Sequence, residues 1–257
     1  MIQGESRITN MVLKMLGEKT IENIEEYVNE VSSRNFNVLG HIDKVNEFFK
    51  DSINEFISSL TEEELLDLIT YTGYQFNNIN AILRNNWNYE INGTLTEDKI
   101  NLFKQLSGKV SSIMSKFKSP AIDFVTYRGT TLDSFSNYGI TNLSNLESLK
   151  GKYLYEQGYT STSIIAESSY YKKTLDDGRY CNIGIKYLIP AENNDGALLV
   201  SNSLSYSANQ NEFLLDKGTL SKVVDVKVEN DSAVLTVVLV PKKVYDINYN
   251  MNNSKKI

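Results

Sequence analysis

Three amino acids that often carry structure or chemistry are scarce in this chain of 257 residues, which holds one cysteine, one histidine and three prolines. The lone Cys181 excludes an intrachain disulfide and a cysteine-based zinc site. The lone His41 argues against a histidine metal centre and against a Ser-His-Asp triad. Any catalysis then rests on carboxylates, hydroxyls and cations. No apolar run reaches the length of a membrane span. Met1 to Thr20 carries no signal-peptide pattern, because Glu5, Arg7, Lys14 and Glu18 interrupt it. Export by another route, a leader already removed and retention in the cell all stay open. Basic residues are in deficit, 26 against 32 acidic, for a net charge of −6. Phosphate backbones call for a basic surface, so the balance weighs against a nucleic-acid partner.

What remains is an ordinary folding composition, 41% hydrophobic and 23% charged, long enough for one large domain or two small ones. Residues 7 to about 70 read as helical. Val45, Phe48, Phe49, Ile53, Phe56 and Ile57 form an apolar stripe at helical spacing. Thr61 and Glu64 form a capping-box pattern for a helix over 62–69, with a stop expected at Thr72-Gly73. Further helices are expected over 76–85 and 97–117, the second ended by Ser119-Pro120. After Pro120 the chain turns β-branched and aromatic. Strands are expected over 122–127, 154–161, 182–189, 197–201, 212–215, 220–227 and 232–244. Helices first and strands after argue an α+β fold.

Four short patterns stand out. Arg128 follows a strand in Tyr127-Arg128-Gly129, where an arginine fork could clamp a pyrophosphate and Gly129 could admit close backbone approach. Ser161-Thr162-Ser163 lies on a second strand about 30 residues on. Gln210-Asn211-Glu212 follows after about 50 more. On an extended segment Gln210 would face the same side as Glu212. Upstream, Asn80 and Arg84 lie four apart, on one face of a helix. Each pattern alone is ordinary: a strand-end arginine, a half-exposed strand, a polar loop, a solvated helix face.

In this order, the four together resemble the arginine/serine/glutamate signature of the mono-ADP-ribosyltransferase toxins. The Gln-x-Glu form resembles the branch of clostridial exoenzymes that modify Rho GTPases on asparagine, and the catalytic components of binary toxins. The resemblance covers about residues 60 to 245. It implies a mixed β-sandwich of two sheets with helices packed on it and an NAD cleft. It implies a division into a helical extension, 1–60, a transferase core, 61–245, and a polar tail, 246–257.

The resemblance also implies roles. Arg128, Asn80, Arg84 and Gly129 would hold NAD, with Arg179 in a phosphate-binding loop. Ser161 would hydrogen-bond Glu212. Glu212 would drive loss of nicotinamide by stabilising the oxocarbenium ion that forms. Gln210 and Tyr206 would choose the acceptor, an asparagine or glutamine side chain on a protein such as a small GTPase. Tyr74, Tyr170 or Tyr171 could stack on nicotinamide or adenine. No metal is called for. A secreted toxin acting in a host cytosol, a monomer with or without a separate delivery component, is the implied setting. The pattern departs from the Rho-modifying enzymes at one place. They carry an aromatic residue three positions before the glutamine, where this chain has Ser207. Three alternatives stay open: an NAD glycohydrolase, a transferase acting on guanine bases, and a non-catalytic assembly module with the same fold.

Overall fold

The computed structural model describes residues 6–84, 95–168, 173–174, 178, 180–199, 204–205 and 211–245. Helices come first: α1 (Arg7–Leu16), α2 (Glu18–Ser32), α3 (Ile42–Ser59), α4 (Glu62–Thr70), α5 (Phe76–Arg84) and α6 (Glu97–Met114). Strands follow: β1 (Phe124–Thr130), β2 (Tyr153–Glu156), β3 (Thr160–Ser163), β4 (Ile183–Ile189), β5 (Gly196–Leu199), β6 (Glu212–Leu215), β7 (Thr219–Glu229) and β8 (Ser232–Val240). The α+β expectation holds. The strands hydrogen-bond in the order β2-β7-β8-β4-β1-β3-β6-β5. The β4–β8 pair is parallel and its neighbours antiparallel, so the array is mixed. β1 meets β4 over seven residue pairs but meets β3 at Tyr127↔Ser163 alone. That single pair joins a five-stranded half to a three-stranded half.

The helix boundaries show what the sequence pattern missed. The capping box forms as expected: the Thr61 Oγ1 accepts the Glu64 N–H at 3.3 Å, and the Glu64 Oε2 accepts the Thr61 N–H at 2.9 Å. The stop at Thr72-Gly73 does not occur. The chain passes from α4 into α5 through one π-helical turn, Tyr71–Gln75. A glycine costs only about 1 kcal/mol in a helix. Here Thr72 Oγ1 donates back to the Leu68 carbonyl at 3.0 Å, and buried Tyr71 packs edge-on against Tyr159 with ring centres 4.9 Å apart. Tertiary packing outweighs local propensity. Between α2 and α3 the helical run is also broken, where Asn37 bridges to Phe124 at the start of β1.

Two strand expectations need correction. The run expected as one strand over 154–161 is two, β2 pairing with β7 and β3 pairing with β6. The chain changes from one half of the array to the other at Gln157–Tyr159. β8 stops at Val240, because Pro241 has no N–H for a ladder and a short 3-10 turn follows.

The core lies on both faces of the sheet. α3, α5 and α6 share one apolar cluster with the strands, and within it an aromatic chain links α3, β1, β6 and the residue Phe117 beyond α6, Phe49–Phe124–Phe213–Phe117–Phe56, with successive rings edge-on at 5.2, 5.2, 6.4 and 5.4 Å. Such pairs add about 0.5–1.5 kcal/mol each beyond area burial. α1 and α2 pack Val12, Leu13, Ile24, Val28 and Val31 against Leu220, Val238, Val240 and Tyr245. Arg34 secures α2 by donating to Glu192 at 2.9 Å, and Tyr27 donates to Glu192 at 2.8 Å.

Candidate active site

Strand register explains why Ser161 and Glu212 meet. Ser163 stands opposite Glu212 across the β3–β6 ladder, and Ser161 opposite Leu214. Ser161 and Ser163 share a face, so Ser161 is the diagonal neighbour of Glu212, within side-chain reach. The Ser161 hydroxyl donates to the Glu212 carboxylate. Arg128 lies within β1, opposite Ile185 of β4, rather than just beyond a strand end. Its Nη1 donates to the Ser161 carbonyl at 2.9 Å. The Tyr127↔Ser163 pair sets this approach, since it brings β1 alongside β3 one residue from Arg128 and two from Ser161. Glu212, Ser161 and Arg128 are thus one connected group built at the joint between the two halves.

The electrostatics follow from that position. Burial pushes the Glu212 carboxyl above the ordinary carboxylate value. The Ser161 hydrogen bond and the Arg128 charge pull the other way without cancelling it. Tyr71 is pushed well up by burial first and by the nearby Glu212 charge second, so the π-helical turn backs onto the same site. Tyr187 of β4 is pushed up to about 12 by burial, opposed by Arg128 and Arg84. Its hydroxyl therefore lies near both guanidinium groups.

Asn80 and Arg84 point to the same region but are engaged by the protein. Asn80 is buried, and its Oδ1 accepts the Tyr159 N–H at 2.8 Å. Arg84 donates from Nε to Glu156 Oε1 at 2.9 Å and from Nη2 to the Tyr159 carbonyl at 3.2 Å. Gly129 sits in regular strand, opposite Gly184.

The sequence reading missed three contributors. Glu156 ends β2 and receives both Arg84 and the Gly158 N–H, the latter at 2.8 Å. Gly158 leaves room for both helix side chains, because a Cβ there would lie 2.6 Å from Asn80 Oδ1 and 3.1 Å from Arg84 Nε. Tyr187 is the third. The glycine directly before Tyr159-Thr160-Ser161 was the available signal for Gly158. Nothing local marked Glu156 or Tyr187, since their partners are far away in sequence.

Not every expectation can be placed. Gln210, Tyr206, Ser207, Arg179, Tyr170 and Tyr171, and the side chain of Tyr74, lie outside the described residues. One argument about Gln210 does change. Asn211 has φ +50, in the left-handed region, so the extended backbone of β6 does not continue through Asn211. The alternation rule therefore does not carry Gln210 to the side of Glu212.

Among the described residues no group of three or more His, Cys, Asp or Glu side chains is arranged to hold a metal ion. No helix among them is long and apolar enough to cross a membrane. A shallow groove of about 240 Å³ lies elsewhere, lined by Lys186, Lys227, Glu229 and Thr236, and holds none of the site residues.

An arginine, a serine and a glutamate are thus joined across the meeting of two strand groups, with helices stacked behind. The chain belongs to the ADP-ribosyltransferase exoenzyme family, whose model matches residues 45–244. Among solved structures it is similar to C3stau2 from S. aureus, determined with NAD, at 20% identity and TM-score 0.63, over 81% of this chain and 100% of that one. It is similar to Plx2a, an ADP-ribosyltransferase toxin from Paenibacillus larvae, at 22% identity and TM-score 0.58, over 77% of this chain and 96% of that one. It is similar also to BECa, the ADP-ribosylating toxin of a C. perfringens binary enterotoxin determined with NADH, at 17% identity and TM-score 0.62. That match covers 80% of this chain and 50% of the other. A search of curated protein sequences found no significant match.

Proposed function

We propose that the protein is an NAD-dependent mono-ADP-ribosyltransferase that moves ADP-ribose from NAD to an asparagine or glutamine side chain of a target protein, a small GTPase for example, and releases nicotinamide. The observation that carries this reading is the connected group Glu212–Ser161–Arg128. A carboxylate held by a serine hydroxyl and facing a guanidinium suits a reaction that builds positive charge on a ribose next to a negative diphosphate. The C1′–nitrogen bond of the nicotinamide ribose breaks, and its electron pair leaves with nicotinamide. The Glu212 carboxylate stabilises the oxocarbenium charge, which exists only along the reaction path. The acceptor nitrogen then attacks C1′ and loses a proton. Arg128 and Arg84 would meet the diphosphate, and Gly129 and Arg179 would complete its binding. Asn80, engaged with the Tyr159 N–H, would act by holding the strand that carries Ser161. Gln210 and Tyr206 would face the acceptor.

The names of similar proteins lend support. C3stau2 was determined with NAD and BECa with NADH, which makes NAD the donor to test first. On this reading the protein is a monomeric secreted toxin acting inside a host cell, with residues 61–245 as the catalytic core. No metal takes part in the proposed step. The experiment is labelling with biotinylated NAD in eukaryotic and bacterial lysates. A protein band present with wild type and absent with Glu212→Ala supports the proposal, and mass spectrometry then gives target and acceptor. Glu212-dependent nicotinamide release unchanged by any acceptor would make it a glycohydrolase instead. Labelled oligonucleotide would move the acceptor to a base.

A further inference from the structure

Three side chains grip three backbone groups of Gly158 and Tyr159, just before Thr160 and Ser161. Glu156 Oε1 accepts the Gly158 N–H at 2.8 Å, Asn80 Oδ1 accepts the Tyr159 N–H at 2.8 Å, and Arg84 Nη2 donates to the Tyr159 carbonyl at 3.2 Å. Glu156 and Arg84 also bond to each other at 2.9 Å. The carboxylate is fixed from behind. Tyr155 and Glu156 pair with Leu220 and Thr219 of β7, and the Glu156 carbonyl accepts the Gly218 N–H at 2.9 Å. The ion pair is only partly exposed, 24% for Arg84 and 37% for Glu156.

We infer that Glu156 is a positioning residue for nucleotide binding: it holds Arg84 by its Nε edge, aims the guanidinium at the donor's diphosphate and fixes the turn that leads into Ser161. The inference rests on the NAD reading above. An arginine side chain forfeits rotamer freedom when it is ordered. Glu156 makes that ordering part of folding rather than of binding, which is how preorganisation raises affinity. A guanidinium keeps its positive charge whatever hydrogen bonds it makes, so an arginine fixed by Glu156 and the Tyr159 carbonyl still attracts a diphosphate. A carboxylate on the same arginine has a second consequence. It partly neutralises the cation, so two opposed effects of opposite sign on NAD affinity meet at one residue, and the structure favours positioning. Glu156 serves the Gly158 N–H at the same time as Arg84, and its backbone is locked in the ladder. It is not a loose counter-ion waiting for an anion to displace it.

The test uses the full chain, with steady-state nicotinamide release read as KM for NAD and kcat separately. The variants are Glu156→Ala, Glu156→Gln, Arg84→Ala and the double variant Glu156→Ala/Arg84→Ala, each checked for folding by thermal melting. Glu156→Ala is expected to raise KM for NAD about tenfold, the loss expected when a single binding interaction goes with kcat largely kept. Glu156→Gln keeps an acceptor oxygen for both donors and is expected to recover much of that loss. The double variant is expected to be no worse than Arg84→Ala, because one residue acts through the other. An unchanged KM in Glu156→Ala overturns the inference. So does a lower KM in either variant, which would make Glu156 a counter-ion that NAD displaces. Losses that multiply with Arg84→Ala overturn it as well. Should Glu156→Ala fail to fold, Glu156→Gln decides against Arg84→Ala: a KM slightly above wild type and well below that of Arg84→Ala supports positioning, and a KM below wild type or as high as that of Arg84→Ala refutes it. A wild type that releases no nicotinamide overturns the underlying NAD reading and this inference with it, an outcome distinct from a working enzyme indifferent to Glu156.

Discussion

Replacing Gly158 by alanine tests the packing between helix α5 and the approach to β3 at a single methyl group. The added Cβ would sit 2.6 Å from Asn80 Oδ1, 3.1 Å from Arg84 Nε and 3.3 Å from Arg84 Cζ. Neither neighbour yields easily. Asn80 is buried and bonded to the Tyr159 N–H, and Arg84 is held by Glu156. Overpacking of this kind costs about 1–3 kcal/mol. Pushing Asn80 off the Tyr159 N–H adds about 1–3 kcal/mol for a buried donor left unpaired. Against this, alanine restricts the unfolded chain and returns about 0.4–1 kcal/mol. The balance is a destabilisation of about 1–6 kcal/mol. For a domain of this size each kcal/mol lowers Tm by about 2–4 °C. Thermal melting should therefore show a clear drop. Asn80→Ser in the same chain, which makes room for the methyl group, should give back part of the packing cost. Nicotinamide release should show a raised KM for NAD as Arg84 is displaced. A Gly158→Ala protein that melts with wild type and keeps its KM would refute the geometry on which this part of the site depends.

Other perturbations read other parts of the account. Glu212→Gln keeps the shape and loses the charge. Because burial raises the folded carboxyl above its unfolded value, the charged form destabilises the fold once pH rises through the folded value. Glu212→Gln should therefore melt no lower than wild type at neutral pH while losing activity. The acid limb of nicotinamide release should fall at a pH above the ordinary carboxylate value, and a limb at or below that value would contradict the desolvation of the partly buried Glu212. Arg34→Ala removes the partner of Glu192 and of Asp123. The pair is about a quarter exposed, so a loss of about 1–2 kcal/mol is expected in denaturant titration, and no change would mean that α2 is held by apolar contacts alone. Thr61→Ala deletes one side of the capping box and should cost about 1 kcal/mol, read the same way.

What the sequence made legible was local. The Thr61–Glu64 box, the apolar stripe of α3 and the strand 212–215 could be read because their signals lie within a few residues of one another. The order of Arg128, Ser161 and Glu212 pointed to one site, and register explains why: β1, β3 and β6 are neighbours in the sheet. The misreadings have long-range causes. Thr72-Gly73 looks like a stop until Tyr71 finds Tyr159, nearly ninety positions away in sequence, at 4.9 Å. Residues 154–161 look like one strand because the change of partner from β7 to β6 leaves no mark but Gly158. Glu156 looked like any half-exposed acid, and its importance depends on Arg84, which reaches it from helix α5. The left-handed Asn211 is a similar case: alternation along a strand presumes an extended backbone that a single asparagine can interrupt.

The most direct test of the central claim is nicotinamide release from NAD by purified wild type and by Glu212→Gln, at matched folding by thermal melting. The account predicts turnover by wild type and a fall of about 10²–10³ or more in kcat for the variant, the loss typical of removing one preorganised electrostatic stabiliser. Equal turnover by the two proteins, or no turnover by either, would contradict the assignment of Glu212, Ser161 and Arg128 as an NAD-cleaving site.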